Sequence, residues 1–168
     1  MGFSGEKRTC YCGEVRKSHI GSTVVLKGWV HRRRDHGGVI FVDLRDRTGL
    51  CQVVLNPETL PAETFDAAHS LKDEFVLAIR GTVRARPEGT VNPNLPTGEI
   101  EVATQEFEIL NTSQPIPFRL DEYSNVNEDA RLKYRFLDLR RPEMQRNFVM
   151  RHKMYQVVRQ FLSEDGYL

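Results

Sequence analysis

The sequence is poor in cysteine, has no long apolar run and carries no excess of either charge, and each absence narrows the class of protein. Three of the 168 residues are cysteine, and the spacing of Cys10 and Cys12 does not fit a zinc knuckle. No apolar stretch approaches the ~20 residues of a membrane helix. The first residues, MGFSGEKR, lack the apolar core of a secretion signal. We therefore expect a reduced, cytoplasmic protein with no membrane partner and a flexible leader over residues 1–8.

Known catalytic and metal-binding patterns are also missing. The sequence contains no G-x-x-x-x-G-K-[ST] and no G-x-S-x-G motif. Its histidines show neither Glu-x-x-His nor His-x-x-x-His pairing; they are His19, His31, His36, His69 and His152. We expect no catalytic residue, no metal site and no cofactor site in this chain.

Positive charge is concentrated in one stretch. The whole chain has 24 Lys and Arg against 23 Asp and Glu, which does not indicate a polyanionic partner. From Lys27 to Arg47, however, six basic residues face three Asp, a local net charge of +3. Residues 28–46 within this stretch, GWVHRRRDHGGVIFVDLRD, hold a Gly-Gly turn and two aromatic residues, Trp29 and Phe41. Arginine with an exposed aromatic side chain is typical of surfaces that bind single-stranded nucleic acid.

The order of predicted elements indicates an all-β fold. Alternating β-rich runs are followed by turn signals, and Phe65, Ala68 and Leu71 repeat at the spacing of a short helix beginning near Pro61. Five strands with one helix between the third and the fourth predict an OB-fold, a Greek-key barrel that commonly binds oligonucleotides. The predicted strands are residues 24–32, 39–45, 50–55, 75–86 and 99–110.

Composition changes after the last predicted strand. We assign residues 1–112 to the OB-fold and residues 113–141, which begin with a proline-containing polar stretch, to a linker or hinge. Pro142 suits the first turn of a helix that runs to Asp165, and Gly166 suits its C-terminal cap. This helix has an apolar stripe with little to pack against, so residues 142–168 are expected to open a further domain that is missing from the chain.

Strand alternation separates core positions from a polar face. Ile40, Val42 and Leu44 are predicted to face the core, which turns Phe41 outward with Asp43 and Arg45. We interpret Phe41 as a platform for base stacking; the alternative is a ring covered by a loop or a second domain. The same alternation turns further polar residues outward and small or apolar residues inward. The residues predicted to face outward are Gln52, Arg84, Arg86, Glu99 and Glu101. The residues predicted to face inward are Cys51, Val53, Leu55, Val83, Ala85, Ile100 and Val102.

The outward amide of Gln52 is expected to be exposed, so that it can read a base edge. The triple arginine remains ambiguous, because Arg32, Arg33 and Arg34 alternate and cannot all face one ligand. At least one of them is expected to pair with Asp35 or Asp46.

Four stretches of the chain together resemble the N-terminal region of bacterial aspartyl-tRNA synthetases, from about Thr9 to Leu168. They are GWVHRRRDHGGVIFVDLRDRTGLCQVV, GTVRARPEG, NPNLPTGEIEV and ARLKYRFLDLRRPEMQRN. The segment RLKYRFLDLR is similar to the hinge shared by the class IIb aspartyl, asparaginyl and lysyl enzymes. The resemblance implies an OB-fold anticodon-binding domain, a hinge and then a class II catalytic domain.

The resemblance also implies roles for individual residues. The central anticodon uridine would stack on Phe41, and Gln52 would read its edge. Arg34, Arg86 and Glu101 would contact the flanking bases or the backbone. In the family, His36 and Gly89 match loop positions associated with enzymes that charge both the Asp and the Asn tRNAs; the alternative is that both residues are without consequence.

For the parent protein, the resemblance implies an ATP-dependent ligase that attaches L-aspartate to tRNA(Asp) and tRNA(Asn). Its ATP and Mg²⁺ would bind in the missing catalytic domain, so this chain alone is expected to be inactive. The helix from Pro142 resembles the start of the motif that forms the family's homodimer. Two alternatives remain, a general single-strand-binding OB module and a fragment whose only activity is dimerisation through its terminal helix.

Overall fold

The computed structural model describes residues 3–121 and 125–168, which divide into two compact units between Pro115 and Ile116. The part of the predicted leader at residues 1–2 and the part of the predicted linker at residues 122–124 lie outside the described residues. No helix among the described residues combines the length and apolarity required to span a membrane.

The first unit is a closed barrel of five strands, counted over the described residues. Its strand order is β1-β2-β3-β5-β4, with β4 pairing back onto β1; the β3–β5 pair is parallel and the others are antiparallel. The helix α1 lies between β3 and β4 in the chain, so the predicted OB-fold is confirmed. The elements are β1 Thr23–His36, β2 Val39–Asp46, β3 Gly49–Leu55, α1 Ala62–His69, β4 Val76–Ala85 and β5 Ile100–Asn111.

The barrel is filled by the side chains that alternation predicted to face inward, with one exception. Ile40, Leu44 and Leu55 are completely buried, together with other aliphatic residues of all five strands. Ala85, predicted to point inward, is exposed. It is the last residue of β4 and lies outside the core cluster, where alternation no longer places a side chain over the barrel interior.

A β-bulge interrupts β1 at His31 and reverses its alternation. Val30 pairs with Leu44 and faces the core, but His31 has no partner on β2 and the pairing resumes one residue later. Arg34 consequently lies opposite Phe41 on the outer side of the barrel. Regular alternation would have placed Arg34 on the same side as Val30.

The N-terminal segment packs on the barrel, and the prediction of a flexible leader is wrong for Phe3. Its ring is 8% exposed and lies in a small cluster with Val25 and Ala78. The guanidinium of Arg80 lies 4.9 Å from the centre of the ring. This packing is favourable because it removes the apolar Phe3 ring from water and places a cation over its face.

Asp46 joins the N-terminal segment to the turn between β2 and β3. Its carboxylate accepts hydrogen bonds from the Cys12 amide at 2.6 Å and from the amide and hydroxyl of Thr48 at 2.8 and 2.7 Å. Burial alone would raise the pKa of Asp46, but these hydrogen bonds outweigh it and lower the pKa below the usual value.

The three cysteines are free, and burial raises the pKa of the Cys51 thiol to about 12.

The second unit is helical in its described part. It contains α2 Glu128–Lys133, α3 Arg135–Asp138 and α4 Pro142–Glu164. The Asn127 side chain caps α2 by accepting from the Ala130 amide at 2.9 Å. Asp138 is fully buried. Burial alone would raise the pKa of its carboxyl, but ion pairs with three arginines lower it. The three are Arg131, Arg135 and Arg141.

Candidate nucleic-acid interface

Side chains from all five strands meet on one side of the barrel, which we call the outer face. Its members are Arg34, Phe41, Asp43, Gln52, Arg84 and Glu101. The strand register brings them together as three cross-strand pairs, with Arg34 opposite Phe41, Asp43 opposite Gln52 and Arg84 opposite Glu101. Directly opposed residues in a sheet have neighbouring side chains, so the outer face is one continuous surface.

Phe41 is half-buried on this face. Its cross-strand partner on β3 is Val54, which is 3% exposed and lies outside the core cluster. No ring–ring or cation–π contact joins Phe41 to another described residue. The ring is therefore supported by the sheet without being stacked on another aromatic side chain.

Five polar side chains beside Phe41 form a chain of hydrogen bonds that we call the amide network: Asp43, Arg34, Gln52, Glu101 and Arg84. Nη2 of Arg34 donates to Oδ1 of Asp43 at 2.7 Å and to Oε1 of Gln52 at 3.1 Å. Nε2 of Gln52 donates to Oε2 of Glu101 at 2.9 Å. The other oxygen of Glu101 accepts from Nε of Arg84 at 2.8 Å.

The two central members of the amide network are buried. Gln52 is 7% exposed and Glu101 is 2% exposed. The prediction that the Gln52 amide is exposed is therefore wrong, although its side chain does lie on the outer side of β3. Sequence alternation identifies which side of a strand a residue occupies, but it cannot show that flanking arginines cover it.

Arg86 directly follows the last residue of β4 and does not bond to the amide network. Its Nε donates to the carbonyl of Ile100 at 3.0 Å, and Nη1 lies 3.5 Å from the carbonyl of Thr90. Its Nη2 is buried and has no hydrogen-bond partner among the described residues. Arg32 is exposed on the same side of β1 as Arg34, and within the described ranges it has neither a hydrogen bond nor an ion pair.

The remaining arginine of the triplet has a different role. Arg33 lies opposite Val42 and forms an ion pair with Asp35, with Nη2 3.5 Å from Oδ2. This agrees with the expectation that one member of the triplet pairs with a neighbouring carboxylate.

His36 is the last residue of β1, and Gly89 lies in the loop between β4 and β5. His36 is exposed at the end of β1, next to the Gly37-Gly38 turn, where both glycines have positive φ angles of 61° and 80°. Gly89 is exposed with φ 79° and has open space around the position of a Cβ atom. Neither residue bonds to the amide network in the part of the chain that the structure describes.

Sequence reasoning missed a second polar cluster on β2. Nη2 of Arg45 donates to both carboxylate oxygens of Glu74, at 2.6 and 2.8 Å, and Nη1 lies 3.0 Å from Nδ1 of His31 at the bulge. Glu74 has φ 68°, the one positive φ outside glycine among the described residues. Nothing in the local sequence pairs Arg45 with Glu74, since 29 positions separate them.

This arrangement is suited to unpaired bases and phosphates. Phe41 offers an aromatic ring, Gln52 offers an amide, and two guanidiniums, those of Arg32 and Arg86, have no carboxylate partner among the described residues. Stacking on a ring with flanking cations is how OB-folds hold single strands. No group of three or more His, Cys, Asp or Glu in the described ranges is placed to hold a metal ion.

Comparison with known proteins agrees with this chemistry. A family model described as “OB-fold nucleic acid binding domain” matches residues 24–110, more than half of the chain. A second, “tRNA synthetases class II (D, K and N)”, matches residues 127–168.

Among curated proteins, the chain is 59% identical over 162 residues to an Aspartate–tRNA(Asp/Asn) ligase of Magnetococcus marinus, covering 96% of this chain and 26% of the relative. It is 54% identical to the protein of the same name from Endomicrobium trichonymphae, over 96% of this chain and 27% of that protein. The chain thus spans about a quarter of the length of these relatives.

A similar solved structure is the asparaginyl-tRNA synthetase of Pyrococcus horikoshii complexed with asparaginyl-adenylate. The TM-score is 0.80 at 28% identity, and the match covers 94% of this chain and 34% of the other. The ligases of Magnetococcus marinus and Endomicrobium trichonymphae confirm the resemblance to aspartyl-tRNA synthetases. Because the family model matches more than half of the residues of this chain, the chain belongs to the family of OB-fold nucleic acid binding domains.

Proposed function

We propose that the outer face binds the anticodon of tRNA, and that the chain is the anticodon-binding part of a cytoplasmic aspartate–tRNA ligase. The observation that carries the proposal is the half-buried ring of Phe41 beside the amide network on an OB-fold barrel. The names of the two ligases include both tRNA(Asp) and tRNA(Asn), so we propose both as partners.

Each site residue has a physical role in this proposal. The central base stacks on Phe41, and the Gln52 amide reads the edge of that base. Arg34, Arg86 and Glu101 contact the flanking bases or the backbone, since guanidiniums attract phosphate while a carboxylate accepts only from base N–H groups.

The activity of the whole ligase is also a proposal. We propose that it attaches L-aspartate to tRNA with ATP, and that ATP and Mg²⁺ bind outside residues 1–168. The class II match over residues 127–168 supports the presence of a synthetase catalytic region beyond the barrel. The exposed apolar side chains of α4, among them Phe148, Val157 and Phe161, suit a role in a homodimer of the full-length enzyme.

Binding of short RNA hairpins tests the anticodon proposal directly. The chain is expected to bind stem-loops carrying G-U-C or G-U-U at least about tenfold more tightly than a loop with a scrambled triplet, since one good base contact is worth on the order of 1–3 kcal/mol. Affinities would be measured by fluorescence anisotropy at about 50 and 200 mM salt.

The salt series separates this proposal from a general single-strand-binding module. A general module would bind all loops equally and lose affinity steeply with salt, because phosphate contacts carry no sequence information. Equal affinity for matched and scrambled loops at both salt concentrations would contradict the anticodon proposal.

His36, the last residue of β1, is proposed to permit binding of both tRNAs. The two anticodons differ at the last base, and an exposed imidazole can donate or accept a hydrogen bond. His36→Leu is therefore expected to raise the preference for G-U-C over G-U-U several-fold. His152→Leu, on α4, is the control, and an unchanged ratio in the His36 variant would count against this role.

A further inference from the structure

We propose that Arg34 and Glu101 are positioning residues for Gln52, and that by holding its side-chain amide in one orientation they make the site select between uridine and cytidine. This inference deepens the proposed function and rests on it. It gives these two residues a task in addition to the RNA contacts proposed above.

The chemistry of the neighbours determines the orientation of the amide. A guanidinium can only donate and a carboxylate can only accept, so Oε1 of Gln52 must face Arg34 and Nε2 must face Glu101. Reversing the amide would set its NH₂ group against the guanidinium and its carbonyl against the carboxylate. Because Gln52 is 7% exposed, water cannot readily replace the two lost bonds.

Both neighbours are themselves held in place by an opposite charge. Nη2 of Arg34 also donates to Asp43 at 2.7 Å. Glu101 accepts from Arg84 at 2.8 Å through the oxygen that does not bind Gln52. The amide is therefore bounded on each side by an ion pair, and reversing it would require both pairs to move.

A fixed amide distinguishes the two pyrimidines. After its bonds to Arg34 and Glu101, Gln52 retains one N–H and one lone pair of electrons for a ligand. Uracil presents an N–H donor at N3 and an oxygen acceptor at C4, whereas cytosine presents an acceptor at N3 and an amino donor at C4. The order is reversed, so one orientation of the amide can match only one of the two bases.

The neighbouring ring determines which base meets the amide. Gln52 lies diagonally across the sheet from Phe41, a relation that separates Cα atoms by ~7–8 Å and lets a base stacked on the ring meet the amide. The proposed partners share a central uridine, so the orientation held by the network is the one that suits uridine.

The test lets the Gln52 amide turn while keeping a hydrogen-bonding side chain at each of the two neighbouring positions. In the double variant Arg34→Gln/Glu101→Gln, both neighbours can donate or accept, so Gln52 can turn to suit either base. The full 168-residue chain would be titrated with stem-loops carrying G-U-C and G-C-C. Wild type is expected to prefer the uridine loop by about tenfold, and the double variant by no more than about twofold.

The chain offers a matched control on the same strand. Glu106 lies opposite Arg80 on β4, as Glu101 lies opposite Arg84, and accepts from Arg80 at 2.7 Å. Glu106→Gln therefore removes an equivalent charge without touching the amide network, and the preference should stay within about twofold of wild type. Gln52→Ala gives the level of discrimination that remains without an amide.

The possible outcomes separate the two proposals. If the double variant keeps the full uridine preference while Gln52→Ala loses it, the positioning role is wrong and the anticodon function stands. If the wild-type chain binds neither loop, the proposed function fails and this inference fails with it.

A second measurement needs no variant and no RNA. In nuclear magnetic resonance spectra of the free wild-type chain, the Gln52 NH₂ proton donated to Glu101 is expected to exchange with solvent much more slowly than the NH₂ protons of exposed glutamines. A Gln52 amide whose two protons both exchange rapidly would overturn the inference even if a variant failed to fold.

Discussion

Replacing Phe41 with alanine is expected to weaken binding of the chain to a G-U-C stem-loop by roughly 5- to 150-fold, because stacking of a base on an aromatic ring is worth ~1–3 kcal/mol. The ring is half-buried and has no aromatic partner among the described residues, so its loss removes a surface that the RNA would use. Anisotropy titration with the same hairpins measures the effect.

Two further substitutions at this position distinguish stacking from covering of the barrel. Phe41→Leu keeps apolar bulk over the sheet but removes the aromatic face, and it should lose almost as much affinity as alanine. Phe41→Tyr keeps the face and should bind within a few-fold of wild type. A leucine variant that binds RNA like wild type would mean that Phe41 serves the packing of the barrel instead.

The largest expected change in stability follows from Arg45→Met. This substitution leaves the buried Glu74 carboxylate without both Arg45 hydrogen bonds, and breaking a buried pair from one side costs about 3 kcal/mol or more. Denaturant unfolding followed by the fluorescence of Trp29, the one tryptophan in the sequence, measures the barrel without a tryptophan signal from the helical unit.

Arg80→Met is the matched control for that experiment. Arg80 also bonds to two carboxylates, but both of them, Glu6 and Glu106, are 52% exposed, against 5% for Glu74. Ion pairs with solvent-exposed carboxylates contribute little to stability, because water screens the two charges. Equal losses of stability in the two variants would contradict the idea that burial of Glu74 makes the Arg45 pair important.

The fold could be predicted from the sequence because strand faces and turns are determined by residues that are close together in the chain. Alternation of side chains identified the core of β2 from Ile40 to Leu44, and turn residues such as Gly37 and Gly38 marked where strands end. The two exceptions occur where the local pattern does not determine whether a side chain is buried. Ala85 lies at a strand end, and Phe3 finds its pocket only on the finished barrel.

The candidate site was predicted less completely. Phe41, Gln52, Arg34 and Glu101 do come together on the outer face, whereas Arg86 bonds to backbone carbonyls beside it. Their roles toward RNA stay predictions, as do those of His36 and Gly89. Asp43 and Arg84 were placed outward by alternation, but their part in the amide network depends on strand partners that alternation does not name.

By itself, the sequence determined the order of strands and helix and the faces of β2 and β3, and it indicated a basic aromatic stretch typical of surfaces that bind single-stranded nucleic acid. Only the tertiary structure decided which member of the triple arginine lies beside Phe41, because the bulge at His31 reverses the alternation of β1 just before the triplet. It also decided the orientation of the Gln52 amide. That orientation depends on hydrogen bonds to Arg34 and Glu101, which lie 18 and 49 positions away and become neighbours only when the barrel closes.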